Sequence, residues 1–448
     1  MRFMRAMRAA ILAGGGGTRI AGLYPSIPKP MIPISGKPLL AWQVESLVAQ
    51  GIADITLIIG YKAEQIKSYF GEGKAFGANI DYIIEAEPLG TGGALVLLPR
   101  ADTLVLYGDV YCEIDYWRFI HFHRDKQAEI TLFAHPNSHP WDSDIVVCDD
   151  NDQVKAWKSK KDSNRGELRN LVNAGLYVFS KSALPVGAPA KTDLELDLVR
   201  PKIMSGKVYA YRSAEYVKDM GTPERLRAVE NDIESGVAAA RNLKNKQRAV
   251  FIDRDGTINV FRGFIDSPGQ IELLGGTAEA IRLLNSSFYL AICITNQPVI
   301  ARGMVTSEGL DAIHARLDML LAENGAYLDD VFYCPHHPDK GYPEEVAEYK
   351  VDCECRKPKP GMLLEAAKRY NIDLSRSYMI GDSTADIAAG KAAGCKTIGV
   401  RTGEGLGDGK HPDFTTTVCD DLIKAIGNIL RRIYIEEYNL WPWKPFLG

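Results

Sequence analysis

Two short stretches most constrain what this chain can be. Phe251-Ile-Asp-Arg-Asp-Gly-Thr257 sets two carboxylates one residue apart directly after an apolar run, and about 240 residues earlier Ile11-Leu-Ala-Gly-Gly-Gly-Gly-Thr-Arg19 sets four glycines after another. The first pattern supplies a nucleophile and a proton donor for phosphoryl transfer, and the second lets backbone N–H groups approach a phosphate. At ~100–200 residues per domain, a chain of 448 residues holds two such devices, and 46% hydrophobic content fills more than one core. Two enzymes on one polypeptide is the expectation.

The coarse features narrow the partners. Net charge is -4 with Lys and Arg scattered along the chain, so neither nucleic acid nor an anionic membrane is expected as a partner. The basic start, Met1 to Arg8, is followed by only five apolar residues, 9–13, before glycines intervene, which reads as a buried strand and not a signal peptide. No apolar run approaches the ~20 residues of a membrane span. Of eight cysteines, Cys334, Cys353 and Cys355 cluster, while Cys112, Cys148, Cys293, Cys395 and Cys419 lie in or beside apolar segments as small core residues. A reducing cytoplasm fits that usage.

Apolar runs at 9–13, 55–60, 80–84 and 103–107 predict strands, with helices over 39–50 and 63–70 between them. The second half repeats the alternation, with strands predicted at 249–252, 289–295, 377–380 and 396–400. Such alternation predicts α/β domains built on mostly parallel sheets covered by helices, with ligands at the carboxyl ends of the strands. The predicted organisation is a first domain over 1–235, a linker over 236–247, a second domain over 248–430 and a tail over 431–448. The tail carries Trp441-Pro-Trp-Lys-Pro-Phe446, for which packing on a surface is the expectation and self-association into a homo-oligomer the alternative.

The glycine loop lacks the Gly-Lys-Ser/Thr ending of a Walker A motif, and a proline-rich segment occupies the place where a dinucleotide-binding helix would begin. Taken with Pro28-Lys29-Pro30-Met31, it resembles the signature of sugar-1-phosphate nucleotidylyltransferases, a resemblance that spans about residues 8 to 235. That family implies a GT-A-like fold in which Gly14, Gly15, Gly17 and Thr18 hold a nucleoside triphosphate. Arg19 would contact its phosphates, and Lys29 would neutralise charge at the reacting phosphorus. Glu85, Gly90, Thr91 and Gly92 resemble the base- and sugar-recognition strand and loop, and Asn173 the sugar-binding turn. Asp109 and Asp219 resemble the magnesium carboxylates. Where the family often has Glu-Lys this chain has Ala156-Trp157-Lys158, so Lys158 is a weaker match for the sugar phosphate.

In the second half, Asp253 and Asp255 resemble the first motif of haloacid-dehalogenase (HAD) phosphatases, with Asp253 the implied nucleophile and Asp255 the implied acid and base. Thr295 and Asn296 would donate to phosphoryl oxygens, Arg356 and Lys357 would supply cations, and Asp382 would join Asp253 and Asp255 at Mg²⁺. Ser383 stands where related phosphatases often carry a lysine, which leaves that charge to Lys357 or marks a shifted substrate preference.

Between these motifs, Cys334-Pro-His336-His337 and Cys353-Glu-Cys355 are separated by sixteen residues, from His336 to Cys353. Three thiolates and an imidazole at such spacing read as structural Zn²⁺ ligands, with His336 favoured over His337. The whole set resembles the heptose 1,7-bisphosphate phosphatases, with histidinol-phosphate phosphatases sharing the zinc pattern. Paired with a first domain most like heptose 1-phosphate guanylyltransferases, it implies consecutive steps on one sugar. GTP is the favoured nucleotide, Mg²⁺ serves both domains, and the partners are small sugar phosphates. A hexose-1-phosphate nucleotidylyltransferase fused to another phosphatase is the runner-up, and a catalytically silent regulatory half the third reading.

Overall fold

Arg8–Leu12 shows how the first half is organised: Ala9 and Ile11 face one hydrophobic core while Ala10 and Leu12 face another. Period-two alternation thus sends one apolar run into two cores, as a strand covered on both faces requires. The same division recurs along Thr103–Tyr107, where Leu104 and Leu106 face the first core and Val105 the second.

The computed structural model describes residues 7–15, 24–162, 165–341, 344–411 and 415–436. The chain divides into two compact units. One comprises Met1–His135, Ser143–Lys161 and Leu171–Lys244; the other comprises Pro136–Asp142, Asp162–Asn170 and Asn245–Gly448. Among the described residues no helix is long and apolar enough to cross a membrane.

In the first unit, Arg8–Leu12 lies between Asp54–Ile59 and Thr103–Tyr107 and parallel to both, with Asn79–Ile84 continuing the parallel side. The other side turns antiparallel: Val172–Phe179 pairs with Thr103–Tyr107, Ile130–His135 and Ile145–Cys148. The nine-stranded sheet is therefore mixed, where alternation alone predicts one mostly parallel. Helix Leu39–Ala49 buries Leu40, Val44 and Leu47 against the sheet, and from the same face Gln43 Nε2 donates to the Tyr107 and Val110 carbonyls at 2.8 and 2.7 Å. This clasp fixes the turn that carries Asp109.

In the second unit six strands are all parallel, in the order Asp330–Cys334, Tyr289–Asn296, Arg248–Ile252, Tyr378–Gly381, Lys396–Val400, Thr417–Cys419. Helices Thr277–Asn285, Ser307–Glu323 and Leu422–Glu436 bury Ile281, Leu317 and Ile426 with Val250, Ile252 and Cys293 in one core. The class expected of both halves, α/β, is the class observed.

Two expected boundaries differ in detail. Segment 236–247 is packed in part, because Val237 and Ala238 of the short helix Val237–Ala240 are buried, as is Leu243. Helix Leu422–Glu436 runs through the expected end at 430, and its packed apolar stripe of Ala425, Ile426, Ile429 and Leu430 lies within the expected domain. The aromatic tail beyond 436 lies outside the described residues.

Leu243 is held by a buried acid. Glu215, 3% exposed, accepts the Asp115 and Leu243 N–H groups on Oε1 at 2.6 and 3.0 Å and the Ser213 hydroxyl on Oε2 at 3.0 Å. Burial pushes its pKa from 4.5 up to about 7, against the pull of the two amides. The folded state thus holds this proton more tightly than the unfolded chain does. Its stabilising share is complete below pH 4.5 and lost as pH rises through 7, at a cost of about 3 kcal/mol once ionised. Glu215→Gln is therefore expected to gain melting temperature relative to wild type between pH 5 and pH 8 in calorimetry. A constant difference across that range would mean the amides keep the carboxylate ionised throughout.

Candidate active sites

In the first unit the candidate residues gather at the carboxyl ends of the parallel strands. Gly14 and Gly15 follow Arg8–Leu12 after Ala13, while Gly17, Thr18 and Arg19 lie outside the described residues. Glu85 ends Asn79–Ile84, and a Cβ on Gly14 would stand 2.6 Å from Glu85 Oε2, so only glycine allows the carboxylate this seat. Burial pushes the Glu85 pKa up, partly offset by the Leu89 N–H, and Oε1 is shielded with no hydrogen-bond partner among the described residues.

Lys29 opens the turn Lys29–Met31 and pairs with Asp109, Nζ to Oδ2 at 2.5 Å. Asp219 ends Tyr216–Asp219, opposite Val110 of the antiparallel strand Val110–Glu113, and the Met220 N–H donates to the Asp109 carbonyl at 3.2 Å. The fold thus makes backbone neighbours of two carboxylates 110 positions apart in sequence. Arg225 Nη1 donates to both Asp219 oxygens at 2.9 and 2.7 Å.

The loop 90–92 is tied to 192–194: the Gly92 N–H donates to the Thr192 carbonyl at 2.9 Å, and Thr91 Oγ1 accepts the Leu194 N–H at 2.8 Å. Asn173 Nδ2 donates to the Tyr177 hydroxyl at 2.7 Å, and the Tyr177 and Tyr107 hydroxyls donate to Glu195 Oε1 at 2.8 and 2.5 Å. Lys158 and Val172 both pair with Ile145, from opposite sides, which brings Lys158 two strands from the Asn173 turn. Glu195 and its tyrosines escape a reading of the sequence, because the two acids alternating with leucines in Leu194-Glu-Leu-Asp-Leu198 have the pattern of an amphipathic surface.

In the second unit, Arg248–Ile252 and Tyr378–Gly381 are parallel neighbours, so Asp253 and Asp382 emerge side by side, with the Asp253 N–H donating to the Ile380 carbonyl at 2.9 Å. Asp386, on the first turn of helix Thr384–Ala393, completes a cluster in which one ligand oxygen from each of Asp253, Asp382 and Asp386 lies within 4.8 Å of the others. Asp255, expected as a ligand, is outside that cluster; Asp386 takes the third place. Burial pushes Asp382 up to about 7, and burial followed by the Asp386 charge pushes Asp253 up against the pull of Lys357. Three carboxyl groups facing one buried ammonium form an all-oxygen donor set of the kind that fits a hard divalent cation such as Mg²⁺, whose charge would also offset their crowding. Gly256 and Gly403 have φ of +84° and +58°, and a Cβ on either would fall 2.1 or 1.9 Å from Asp382 Oδ2. Both positions require glycine on two counts.

Lys357 is the organising cation. Its Nζ lies 2.6 Å from Asp253 Oδ1, 2.6 Å from Asp386 Oδ1 and 2.8 Å from the Ile294 carbonyl. Asn296, expected to face phosphoryl oxygens, pairs with the Lys357 backbone: Oδ1 accepts its N–H at 3.0 Å and Nδ2 donates to its carbonyl at 3.1 Å, which leaves the second Nδ2 hydrogen to donate elsewhere. Thr295 Oγ1 accepts from Gln297 Nε2 at 2.9 Å, and Arg356 donates to the His336 carbonyl at 3.1 Å.

The structure brings Cys334, His336, Cys353 and Cys355 together. The three Sγ–Sγ separations are 3.5, 3.2 and 3.2 Å, and His336 Nδ1 lies 3.3 Å from Cys355 Sγ. Ligand atoms at these spacings enclose a volume suited to one tetrahedral ion with bonds of ~2.3 Å to sulfur, and the Cys₃His donor set fits Zn²⁺. The facing Cys334 thiol holds Cys355 down to about 5. His337 lies outside the cluster, with its Nδ1 accepting the Asp339 N–H at 3.1 Å.

Residues 8–236 match the family model described as nucleotidyl transferase, and residues 354–425 that described as HAD-hydrolase-like. The D-glycero-beta-D-manno-heptose-1,7-bisphosphate 7-phosphatase of Pasteurella multocida is 43% identical over 183 residues, 40% of this chain and 97% of that protein. The mannose-1-phosphate guanylyltransferase of Mycobacterium tuberculosis is 33% identical over 279 residues, 60% of this chain and 74% of that protein. Among solved structures, HddC from Yersinia pseudotuberculosis is 32% identical and covers 50% of this chain and 99% of its own, with a TM-score of 0.44.

Proposed function

Because this chain belongs to the nucleotidyl transferase family through its first unit and to the HAD-type heptose-bisphosphate phosphatases through its second, we propose that the two enzymes act in succession on one sugar. The phosphatase removes the 7-phosphate of D-glycero-D-manno-heptose 1,7-bisphosphate. The transferase then joins the resulting 1-phosphate to GMP from GTP, releasing pyrophosphate.

In the phosphatase step an Asp253 oxygen attacks phosphorus, the bond to the sugar oxygen breaks, and Asp255 gives that oxygen its proton. Water then attacks the aspartyl-phosphate while Asp255 takes the water proton, returning Asp253 as a free carboxylate. Lys357 holds Asp253 in place and offsets charge on the phosphoryl group. Mg²⁺ held by Asp253, Asp382 and Asp386 would supply further charge stabilisation there, as Mg²⁺ at Asp109 and Asp219 would in the transferase. In the transferase a sugar-phosphate oxygen attacks the α-phosphorus in line and pyrophosphate leaves. Lys29 and Arg19 offset the developing charge.

The observation that carries the choice of guanine is Glu85. A carboxylate is an acceptor only, and guanine is the common base whose pairing edge offers two adjacent N–H donors. Glu85 sits at the glycine loop with one oxygen that no donor among the described residues fills. Adenine, cytosine and uracil each place at least one acceptor against that carboxylate. Eight cysteines without a disulfide suit the cytoplasm, where nucleoside triphosphates are made.

Phosphorus NMR with Mg²⁺, the heptose bisphosphate and each nucleoside triphosphate in turn tests this reading, with mannose 1-phosphate as a competing acceptor. Phosphate release followed by a nucleotide-diphosphate pair with GTP alone is expected, and Glu85→Gln should cut GTP use by about 10- to 100-fold. Coupling of mannose 1-phosphate in preference to the heptose would separate the two activities into different pathways. Equal use of all four nucleotides would remove Glu85 as the base reader.

A further inference from the structure

Arg254, the residue between the two reacting carboxylates, has no exposed surface and heads the largest wholly buried side chains of the described residues. Its Nε and Nη2 donate to Asp255 Oδ1 at 3.2 and 3.0 Å, and Nη2 also donates to Oδ2 at 2.8 Å. On the opposite edge Nη1 lies 3.3 Å from Nε2 of His314, a fully buried residue of helix Ser307–Glu323. For that contact to be a hydrogen bond the imidazole must accept at Nε2, which the neutral ring allows. Burial and the Arg254 charge push the His314 pKa well down, consistent with a neutral ring.

Asp255 receives two more donors: Asn259 Nδ2 at 3.0 Å to Oδ1 and Gln297 Nε2 at 2.8 Å to Oδ2. Both oxygens are thus held from three sides, and the planar fork of Arg254 constrains the rotation that the two single amides leave free. A buried ion pair contributes little to stability compared with well-packed apolar groups, so a fork closed on a residue that must transfer protons is poorly explained as a stabiliser.

Resting on the assignment of Asp255 as the proton donor and acceptor, we propose that Arg254, braced by His314, is a positioning residue that fixes the Asp255 carboxylate for proton transfer to the sugar leaving oxygen. The leaving step breaks the P–O bond to the sugar, forms the P–O bond to Asp253 and moves one proton from Asp255 to the departing oxygen. A carboxylate free to rotate delivers that proton less often. Attack by Asp253 on an ester whose leaving group needs no proton is untouched.

The test compares heptose bisphosphate with 4-nitrophenyl phosphate, which departs as a stable phenolate, using the full-length chain with Mg²⁺. Arg254→Met is expected to lower kcat on the heptose ester by about 100-fold at nearly constant KM, while the pre-steady-state burst of nitrophenolate changes by less than about threefold. His314→Leu is expected to show the same split more weakly, by about tenfold, and Arg254→Lys to fall between wild type and Arg254→Met. If Arg254→Met does not fold, the Arg254→Lys and His314→Leu comparison decides. Equal losses on both esters would reduce Arg254 to a packing role, and no loss on either would also end the proposal. Asp255→Asn separates the two levels: heptose turnover retained in that variant removes the acid role itself, whereas turnover lost there and retained in Arg254→Met removes only the clamp.

Discussion

Asp253→Asn is expected to stop phosphate release from the heptose bisphosphate, while pyrophosphate release by the same preparation, supplied with the heptose 1-phosphate and GTP, continues at the wild-type rate. The amide is not a nucleophile, so no aspartyl-phosphate forms, and the loss should reach at least about 10³-fold. The variant should fold, because asparagine matches the shape of the aspartate and the charge it removes is one that burial and Asp386 already disfavour. Lys357 keeps Asp386 and the Ile294 carbonyl as partners, so its ammonium is not stranded. Phosphate and pyrophosphate assays on one sample make the comparison internal. Loss of both activities would indicate global damage. Retention of phosphate release would assign the nucleophile elsewhere and remove the reaction scheme built on Asp253.

The parts of this arrangement that could be read from the sequence are those where an apolar run ends in a polar residue. Arg8–Leu12, Thr103–Tyr107, Arg248–Ile252 and Tyr378–Gly381 are central strands buried on both faces, so they appear as uninterrupted apolar segments, and their ends locate Gly14, Asp109, Asp253 and Asp382. The antiparallel strands are harder to see. Val154–Lys158 is five residues long with no clean alternation, since Ala156 and Trp157 are adjacent, and Ile130–His135 finds its partners at Val172–Phe179 and Val208–Arg212, tens of residues away. That missing half is why a mixed sheet reads as a parallel one.

Side-chain roles were legible only where a residue type admits few alternatives. Three cysteines and a histidine point to one another, but Asp386 reads as an ordinary acid on the first turn of a helix, where it also accepts the Ser383 hydroxyl at 2.6 Å. Asn296 shows a role the sequence hides: only the approach of Lys357 across 61 positions reveals that its amide also pairs with the Lys357 backbone, through Oδ1 and one of its two Nδ2 hydrogens. Arg254 reads as a spacer because nothing local indicates that its side chain turns back on Asp255.

Replacing Cys353 and Cys355 with serine is expected to yield protein without zinc and to lower phosphatase turnover by about 100-fold or more, while nucleotidyl transfer persists. Apart from the metal, the segment is held through Tyr349, which packs at the edge of the second unit's core. Among the described residues, no apolar side chain between Cys334 and Met362 is buried, and the pairs that Lys359 makes with Asp352 and Glu354 are solvent-exposed on the acid side. Exposed pairs of that kind contribute roughly 0–1 kcal/mol each, whereas a Cys₃His zinc site is worth on the order of 10 kcal/mol of folding free energy. Cys355 immediately precedes Arg356 and lies two residues from Lys357, so loosening this loop frees the ammonium that sits on Asp253. Elemental analysis of wild-type protein should give about one zinc per chain and the double variant essentially none, with calorimetry showing an earlier transition in the variant. A zinc-free variant with unchanged phosphate release would mean that the reciprocal Asn296–Lys357 backbone pair holds the lysine unaided, and the metal would then stabilise the loop without shaping the site.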